Sequence, residues 1–274
     1  MLSIQTNIGS LNAQRNLMTT TNQLQTSMAR LSSGFRITKA GDDAAGLAVS
    51  SNLQAEIRSY SQATRNAADG VSLAQTAEGS LNEVTNILTR MRELAMQSAS
   101  DGIGSTERGY VNSENQQLTS ELDRISATTE YNGTKLLDGS VTQLQFQVGI
   151  RATTNDAISV GLTKTDTTSL AVNANDLSTV AGATAALATI DAAIVTVSQT
   201  RASFGAVGNR LSSVMNTIQV ASESLSAANS RIRDVDVAEE TSAMTRANVL
   251  QQAGVSVLAQ ANQAPQIALK LLQG

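Results

Sequence analysis

The sequence predicts a mainly α protein, an elongated coiled-coil or helical rod with a small β-hairpin-bearing segment. Three observations predict it. Seven-residue apolar rows run along both ends of the chain. Alternating apolar residues and Asn-Gly or Asp-Gly dipeptides are confined to the middle. Aromatic residues make up 2% of the 274 positions, with no Trp, so the rings that fill compact cores are scarce.

The first helical segment carries Leu17, Leu24 and Leu31 at seven-residue spacing, and Ile4, Ile8 and Leu11 begin a similar stripe. Gly34, after Ser32-Ser33, is a helix stop. A second stretch runs from about Asp43 to Ser98. Its rows are Leu53, Tyr60, Ala67, Ala74, Leu81, Leu88 and Ala95, with Ala77, Val84 and Met91 between them. Gly70 and Gly79 each cost about 1 kcal/mol relative to Ala in a helix, which predicts local bending. A loop through Asp101-Gly102-Ile103-Gly104 leads to a shorter helix over 105–128, with Leu118, Leu122 and Ile125 on one face.

Beyond Thr128 the pattern changes. Asn132-Gly133 and Asp138-Gly139 predict turns, and Leu144, Phe146 and Val148, then Ile158 and Val160, alternate as in short strands. Residues 161–182 are rich in Thr, Asn and Asp and read as nearly featureless. Strict 4,3 spacing then links Ile190, Ile194, Val197, Arg201, Phe204, Gly208, Leu211, Met215, Ile218, Ser222, Leu225, Asn229 and Ile232, a sustained heptad that asks for a partner helix. Asp236 followed by Glu239 resembles a capping box opening the last helix. That helix carries Leu250, Val257, Ala264 and Leu271 in one row and the small Gly254, Ala261 and Ala268 in another. Pro265, the only proline, predicts a kink or a restart. The simplest topology folds the C-terminal helices back along the N-terminal ones, with the strands at the tip.

Composition narrows the chemistry. With no His and no Cys, imidazole bases, thiol nucleophiles and transition-metal sites are disfavoured, and no phosphate-binding glycine motif occurs. Neither a cofactor nor a metal is expected. Carboxylates at Asp42-Asp43, Asp234/Asp236 and Glu239-Glu240 stand beside helix starts, where acids cap and complement the dipole. That leaves a carboxylate hydrolase as the weakest reading and no catalytic residue to name. The chain ends are basic: residues 1–41 carry Arg15, Arg30, Arg36 and Lys39, residues 241–274 carry Arg246 and Lys270, and neither end holds an acid. So sparse a patch does not predict nucleic-acid binding. The N-terminus lacks the basic start and apolar stretch of a secretory signal, and no window is read as a membrane span.

The terminal stripes are narrow, and their other faces are Gln, Asn, Ser and Thr rather than charges. Such helices gain most of their stability from packing. They are expected to stay largely unfolded in the monomer and to order beside neighbouring copies. The terminal assembly stripe is Leu17, Leu24, Leu31, Leu250, Val257 and Leu271. Periodicity by itself favours two ordinary amphipathic helices in a monomeric bundle.

Several stretches resemble bacterial flagellins, the subunits of the flagellar filament. In the first half these are Ser10–Leu17, Leu31-Ser32-Ser33-Gly34-Phe35-Arg36-Ile37, Asp42–Ala48, Arg65-Asn66-Ala67-Ala68-Asp69-Gly70, Ala74–Gly79, Arg90–Ala95 and Tyr131–Leu137. In the second they are Gly208-Asn209-Arg210-Leu211, Ser230–Asp234 and Leu258–Gln263. The resemblance covers roughly 1–140 and 190–274, and it implies a short form without large outer domains. It implies a terminal coiled-coil core domain from 1–42 and 236–274, and a helical rod domain over 43–235 with its β segment near 130–182. The implied function is a structural, self-assembling motility protein, not an enzyme, in the extracellular filament. It is expected to be exported unfolded by the flagellar type III apparatus, with an export chaperone, the filament cap and hook-junction proteins as partners. No nucleic acid and no membrane are expected as partners. A host Toll-like receptor is a further implied partner, at Arg90, Glu93, Leu94 and Glu114, where ordinary subunit contact is the competing reading. A hook–filament junction protein, a relative with the same terminal signature, is the alternative, and the unbroken Ala44–Leu94 match favours the filament subunit.

Overall fold

The computed structural model describes the backbone of residues 6–273 and the side chains of residues 6–263. The elements in order are α1 (Ile8–Ser33), α2 (Ala44–Ser98), α3 (Ser105–Thr128), β1 (Glu130–Tyr131), β2 (Thr134–Lys135), β3 (Gln143–Gln147), β4 (Ala157–Gly161), α4 (Val180–Arg233) and α5 (Val237–Gln273). The fold is mainly α, as the periodicity requires. The chain divides into two compact units, one drawn from Met1–Ala55 and Ser224–Gly274, the other from Glu56–Glu223.

In the middle unit the heptad rows face inward. Ala67, Ala74, Ala77, Leu81, Val84, Leu88, Met91 and Ala95 of α2 are buried, as are Ile190, Val197, Phe204, Leu211 and Ile218 of α4. The intervening Ile194, Arg201, Gly208 and Met215 are half-buried, so the 4,3 register is kept throughout this stretch. The two helices run antiparallel, with Arg92 bonded to Asp191 at 2.6 Å near one end and Gly70 beside Leu211 farther along. From α3, Val111, Leu122 and Ile125 join the same core.

Gly70 does not interrupt α2. A Cβ built there would lie 2.9 Å from Leu211 Cδ1 and 3.2 Å from the Phe146 ring, so glycine makes room for two side chains that meet the helix at one level. Nothing lies within 4 Å of the corresponding point at Gly79.

The strands form two antiparallel pairs. Between β1 and β2 the turn residues Asn132 and Gly133 take φ of 49° and 79°, and two consecutive left-handed residues are what a type I′ hairpin needs. The pair β3–β4 registers Leu144 with Val160 and Phe146 with Ile158, so one face of the ribbon enters the core.

Residues 161–182 correct the sequence reading. Far from featureless, this stretch buries Leu162, Leu170, Val172 and Leu177. After Gly161 it belongs to no strand; Leu162 N and Thr165 N bond to the backbone carbonyls of Thr142 and Leu137, and side chains of α3 and the end of α2 anchor the rest. The Asp123 carboxylate accepts from Thr167 N and Oγ1, each at 2.9 Å. Asn112 Oδ1 accepts from Leu177 N at 2.9 Å, and Ser98 Oγ donates to the Leu177 carbonyl. Thr and Asn at irregular intervals leave no periodic signal of such anchoring.

A second correction concerns α4, which contains an 18-residue window of mean hydropathy 1.8, long and apolar enough to cross a membrane by length and composition. Ala183, Ala186, Ile190, Ala193 and Val197 of the same helix are buried in the protein core, and core packing accounts for that row.

In the terminal unit, α1 stops at Gly34, with φ of 74° and its N–H bonded to Arg30 O at 2.8 Å. Asp43 Oδ1 accepts from Gly46 N at the start of α2, and Asp236 Oδ1 accepts from Ala238 N and Glu239 N at the start of α5. The connectors beside these caps meet: Phe35 pairs with Asp234 in an isolated antiparallel bridge, and the Arg233 guanidinium lies 4.1 Å from the Phe35 ring centroid. Of the kink or restart expected at Pro265, the restart does not occur: α5 continues as one helix to Gln273.

Candidate functional site

The helices α1 and α5 pair antiparallel. Asn7 meets Ala261, Leu17 lies over Gly254, and Arg30 meets Glu240. Along α5 the inward residues are Glu240, Met244, Ala247, Gln251, Gly254, Leu258 and Ala261, at strict 4,3 spacing. Along α1 they are Ser10, Ala13, Leu17, Thr20, Leu24, Ser27 and Leu31. Every one is buried or half-buried. The fully buried members are small: Ser10, Ala13, Ser27 and Ala247.

The large apolar side chains are mostly elsewhere. Ile8, Leu11, Met18 and Met28 of α1, and Val237, Val249, Leu250, Val255 and Val257 of α5, are exposed. Met18 is 69% exposed and Val257 55%. The expected assembly stripe therefore splits. Leu17, Leu24 and Leu31 are half-buried against α5, whereas Leu250 and Val257 face outward, and the side chain of Leu271 lies outside the described residues. The sequence offered Gly254 and Ala261 as a row for close backbone approach, and a Cβ at Gly254 would sit 3.4 Å from Leu17 Cδ1. Ala268 of that row, and Ala264 of the other, have side chains outside the described residues. The sequence reading passed over Val237, Val249 and Met18. Their only signal is that each is a large apolar residue off the inner heptad.

One charged pair sits in this seam. Arg30 Nη1 and Glu240 Oε2 are 3.6 Å apart, with the Glu240 side chain only 12% exposed. A polar pair among seam positions favours one register over others.

In the middle unit, the exposed edge of α2 beside its buried row carries a charge network. Arg90 Nη2 reaches Glu114 Oε1 of α3 at 2.8 Å, and Arg90 Nη1 reaches Glu93 Oε2 at 3.0 Å. Hydrogen bonds that Arg90 donates to Glu114 and then Glu93 hold its pKa above the ordinary value. Next to it, the Arg92 bond depresses the Asp191 carboxyl below the ordinary range. Leu94, one turn from Arg90, is not on this face: it is 1% exposed and packs in the core. The rows of α2 turn by about 100° per residue, so a four-residue step moves a side chain about 40° around the helix, enough here to cross the edge of the buried face.

The acids that sequence alone could pair for catalysis have other work. Asp43 and Asp236 cap helices. Asp42 accepts three hydrogen bonds from Thr38 and Lys39, and the Thr38 bonds above all lower its pKa. Glu240 pairs with Arg30. Among the described residues no group of three or more Asp or Glu could hold a metal ion.

Comparison with known proteins agrees with this arrangement of ends and middle. Residues 4–142 match the family described as bacterial flagellin N-terminal helical region, and residues 187–272 match the bacterial flagellin C-terminal helical region. A flagellin of Halalkalibacterium halodurans is 47% identical over 97% of this chain and 98% of its own length. One from Bacillus subtilis is 40% identical over 99% of this chain and 100% of its own. The crystal structure of Bacillus cereus flagellin superposes with a TM-score of 0.50 at 30% identity, over 56% of this chain and 88% of that one. The two family matches and the relatives aligned over nearly the full length place the chain in the bacterial flagellin family, whose members are structural subunits of the flagellar filament and not enzymes.

Proposed function

We propose that the terminal helix pair is the element on which copies of this subunit close to form the filament core. The observation that carries the reading is the packing of that pair, in which only small residues are fully buried and Leu250, Val257, Val249, Met18 and Leu11 are exposed. Apolar rows left in water favour burial, and a contiguous exposed patch marks an interaction surface. Neighbouring copies would complete the rows that begin with Leu17, Leu24 and Leu31 and continue through Leu250, Val257 and Leu271. In this reading residues 1–42 and 236–274 form the inner core of the filament, and 43–235 form the surrounding rod.

Ordering of these helices belongs to assembly. Alone, the pair buries few large side chains, so its conformational entropy is poorly offset until neighbours arrive. A chain with weakly held ends and no disulfides suits passage in unfolded form through the flagellar type III apparatus. An export chaperone would cover the apolar rows of α5 before passage, and polymerisation would follow under the filament cap, beyond the hook-junction proteins. The subunit is then secreted, and the filament lies outside the cell.

The test compares monomer with polymer. Far-UV circular dichroism is expected to report more helix after polymerisation than before. A subunit whose two ends are already rigid, and which stays solitary under polymerising conditions, would overturn the reading.

The Arg90, Glu93 and Glu114 network is the proposed contact surface of the middle unit, for neighbouring subunits and for a host Toll-like receptor. Leu94 supports that surface from beneath. A reporter assay with monomeric Arg90→Ala and Glu114→Ala is expected to give reduced receptor signalling at unchanged unfolding midpoint. Full signalling by both variants would remove these residues from the receptor contact.

A further inference from the structure

Proline at position 265 creates a bonding problem in α5. Pro265 has no N–H, so in a continuous α-helix the carbonyl four residues earlier, that of Ala261, loses its donor. Here the Asn7 side chain supplies one: its Nδ2 donates to Ala261 O at 2.7 Å. The other end of the same amide, Oδ1, accepts from Ser10 N at 3.0 Å and opens α1. One amide thus caps its own helix with its acceptor and repairs the partner helix with its donor. Beside it, Ser10 Oγ donates to Asn262 Oδ1 at 2.7 Å.

We infer that Asn7 sets the register of the terminal pair by reading the carbonyl that Pro265 frees. Pro265 is the only proline in the chain, so Ala261 O is the single carbonyl of α5 left without a helix donor for this reason. The fully buried seam positions add little to this choice: Ser10, Ala13, Ser27 and Ala247 are small and present little relief, and Leu17 over Gly254 is the one close fit between the helices that also opposes a slip of one turn. After such a slip Asn7 would face a carbonyl that already holds an intrahelical bond, and Ala261 O would lose its partner. Arg30 and Glu240 agree with the same register from the far end, at the longer distance of 3.6 Å. The outer rows align between copies only when the inner register is unique, which makes Asn7 a positioning residue for assembly.

This inference rests on the terminal pair being the assembly element, and its test separates the two. Asn7→Asp keeps a side-chain acceptor of equal capping strength but has no N–H to donate. Pro265→Ala restores an N–H to Ala261 O. The critical concentration for polymerisation is measured for the full-length chain, N7D, P265A and the double variant, with the urea midpoint of the middle unit as the folding control. N7D is expected to raise the critical concentration about tenfold beside proline and less than about twofold in the P265A background, since the carbonyl then has its helix donor. An N7D cost that is equal in both backgrounds, or absent in both, overturns the inference. A wild-type chain that never polymerises defeats the assembly reading itself and the register argument with it.

Discussion

Along α2 and α4 in the middle unit, the heptad rows that hold Leu81, Leu88, Phe204 and Leu211 are the rows that are buried. Along α1 and α5 in the terminal unit the relation is reversed. There Ala13 and Ala247 are buried while Met18, Val249, Leu250 and Val257 are exposed, and the only other buried apolar residue of that unit, among those described, is Ile37. Both units use the same 3.5-residue repeat, so the repeat does not explain the difference. The middle unit closes its core within one chain, where α3, the β3–β4 ribbon and the anchored stretch 162–179 help to cover α2 and α4. In the terminal unit α1 and α5 cover one face of each other, and among the described residues the other faces keep Met18, Val249, Leu250 and Val257 exposed. A two-helix seam whose fully buried members are Ser and Ala, with its Leu side chains only half-buried, removes little apolar area from water, at roughly 25 cal/mol for each Å². The difference teaches that one unit covers its large apolar rows within the chain, whereas the other leaves them exposed, as the proposed assembly requires.

The comparison can be broken most decisively by removing residues 241–274. Polymerisation, followed by sedimentation and electron microscopy, is expected to be lost altogether, while the urea midpoint of the middle unit stays near that of the intact chain. Normal filaments from the truncated chain would erase the distinction between the units. Next in size is Leu88→Ala, at a position with 0% exposure. It is expected to cost the monomer about 2–5 kcal/mol in chemical denaturation. The matching terminal variant, Leu250→Ser with Val257→Ser, is expected to move monomer stability by less than about 0.5 kcal/mol, yet raise the critical concentration by about tenfold or more. Equal effects of the two variants on the monomer would mean that the terminal rows are buried within one chain after all.

Two glycines sharpen the contrast further. Gly70→Ala pushes a Cβ to 2.9 Å from Leu211 Cδ1, and is expected to destabilise the middle unit by about 1–3 kcal/mol. Gly254→Ala meets Leu17 Cδ1 at 3.4 Å, and is expected to leave assembly intact or improve it through roughly 1 kcal/mol of helix propensity. A strongly disruptive Gly254→Ala would show the terminal seam to be as tightly packed as the middle core.

The smallest effect expected is that of acid. Asp138, Asp166, Asp176 and Asp191 of the middle unit are held below their ordinary value of 3.8: hydrogen bonds from Ser140 and Ser178 and from Arg92 lead for three of them, while at Asp166 the bonds from Lys164 and Ser169 outweigh an opposing burial. Asp42 is the matching case in the terminal unit. A lowered folded pKa contributes stability that is fully present above the unfolded value and is lost as pH falls through the folded one. The urea midpoint of the middle unit is therefore expected to be flat near neutrality and to decline below about pH 4. A midpoint that rises on acidification would contradict the assigned direction.

Much of the architecture was legible in the residues because it is written in local chemistry. Gly34 ends α1, Asp236 opens α5, and Asn132-Gly133 turns β1 into β2, since each needs only its own neighbours to act. The 4,3 row from Ile190 to Ile232 is buried or half-buried at every position, because side-chain direction follows from the helical period. Leu94 was misplaced on the exposed face with Arg90, because spacing places two residues on neighbouring parts of a helix but does not say where the edge of the buried face falls. Residues 161–182 looked nearly featureless because their anchors, Asp123, Asn112 and Ser98, are far away in sequence.

By itself, then, the sequence determined the helices, their caps, the two hairpins, the absence of imidazole and thiol chemistry, and the family. Tertiary structure decided which face of each helix is covered. It turned the small row of α5 inward and Leu250 and Val257 outward, and it brought Asn7 to Ala261 across 254 residues of chain. The physical reason is one of range: dihedral preference and periodicity act over a few residues, whereas burial is settled by what the rest of the chain leaves beside a helix.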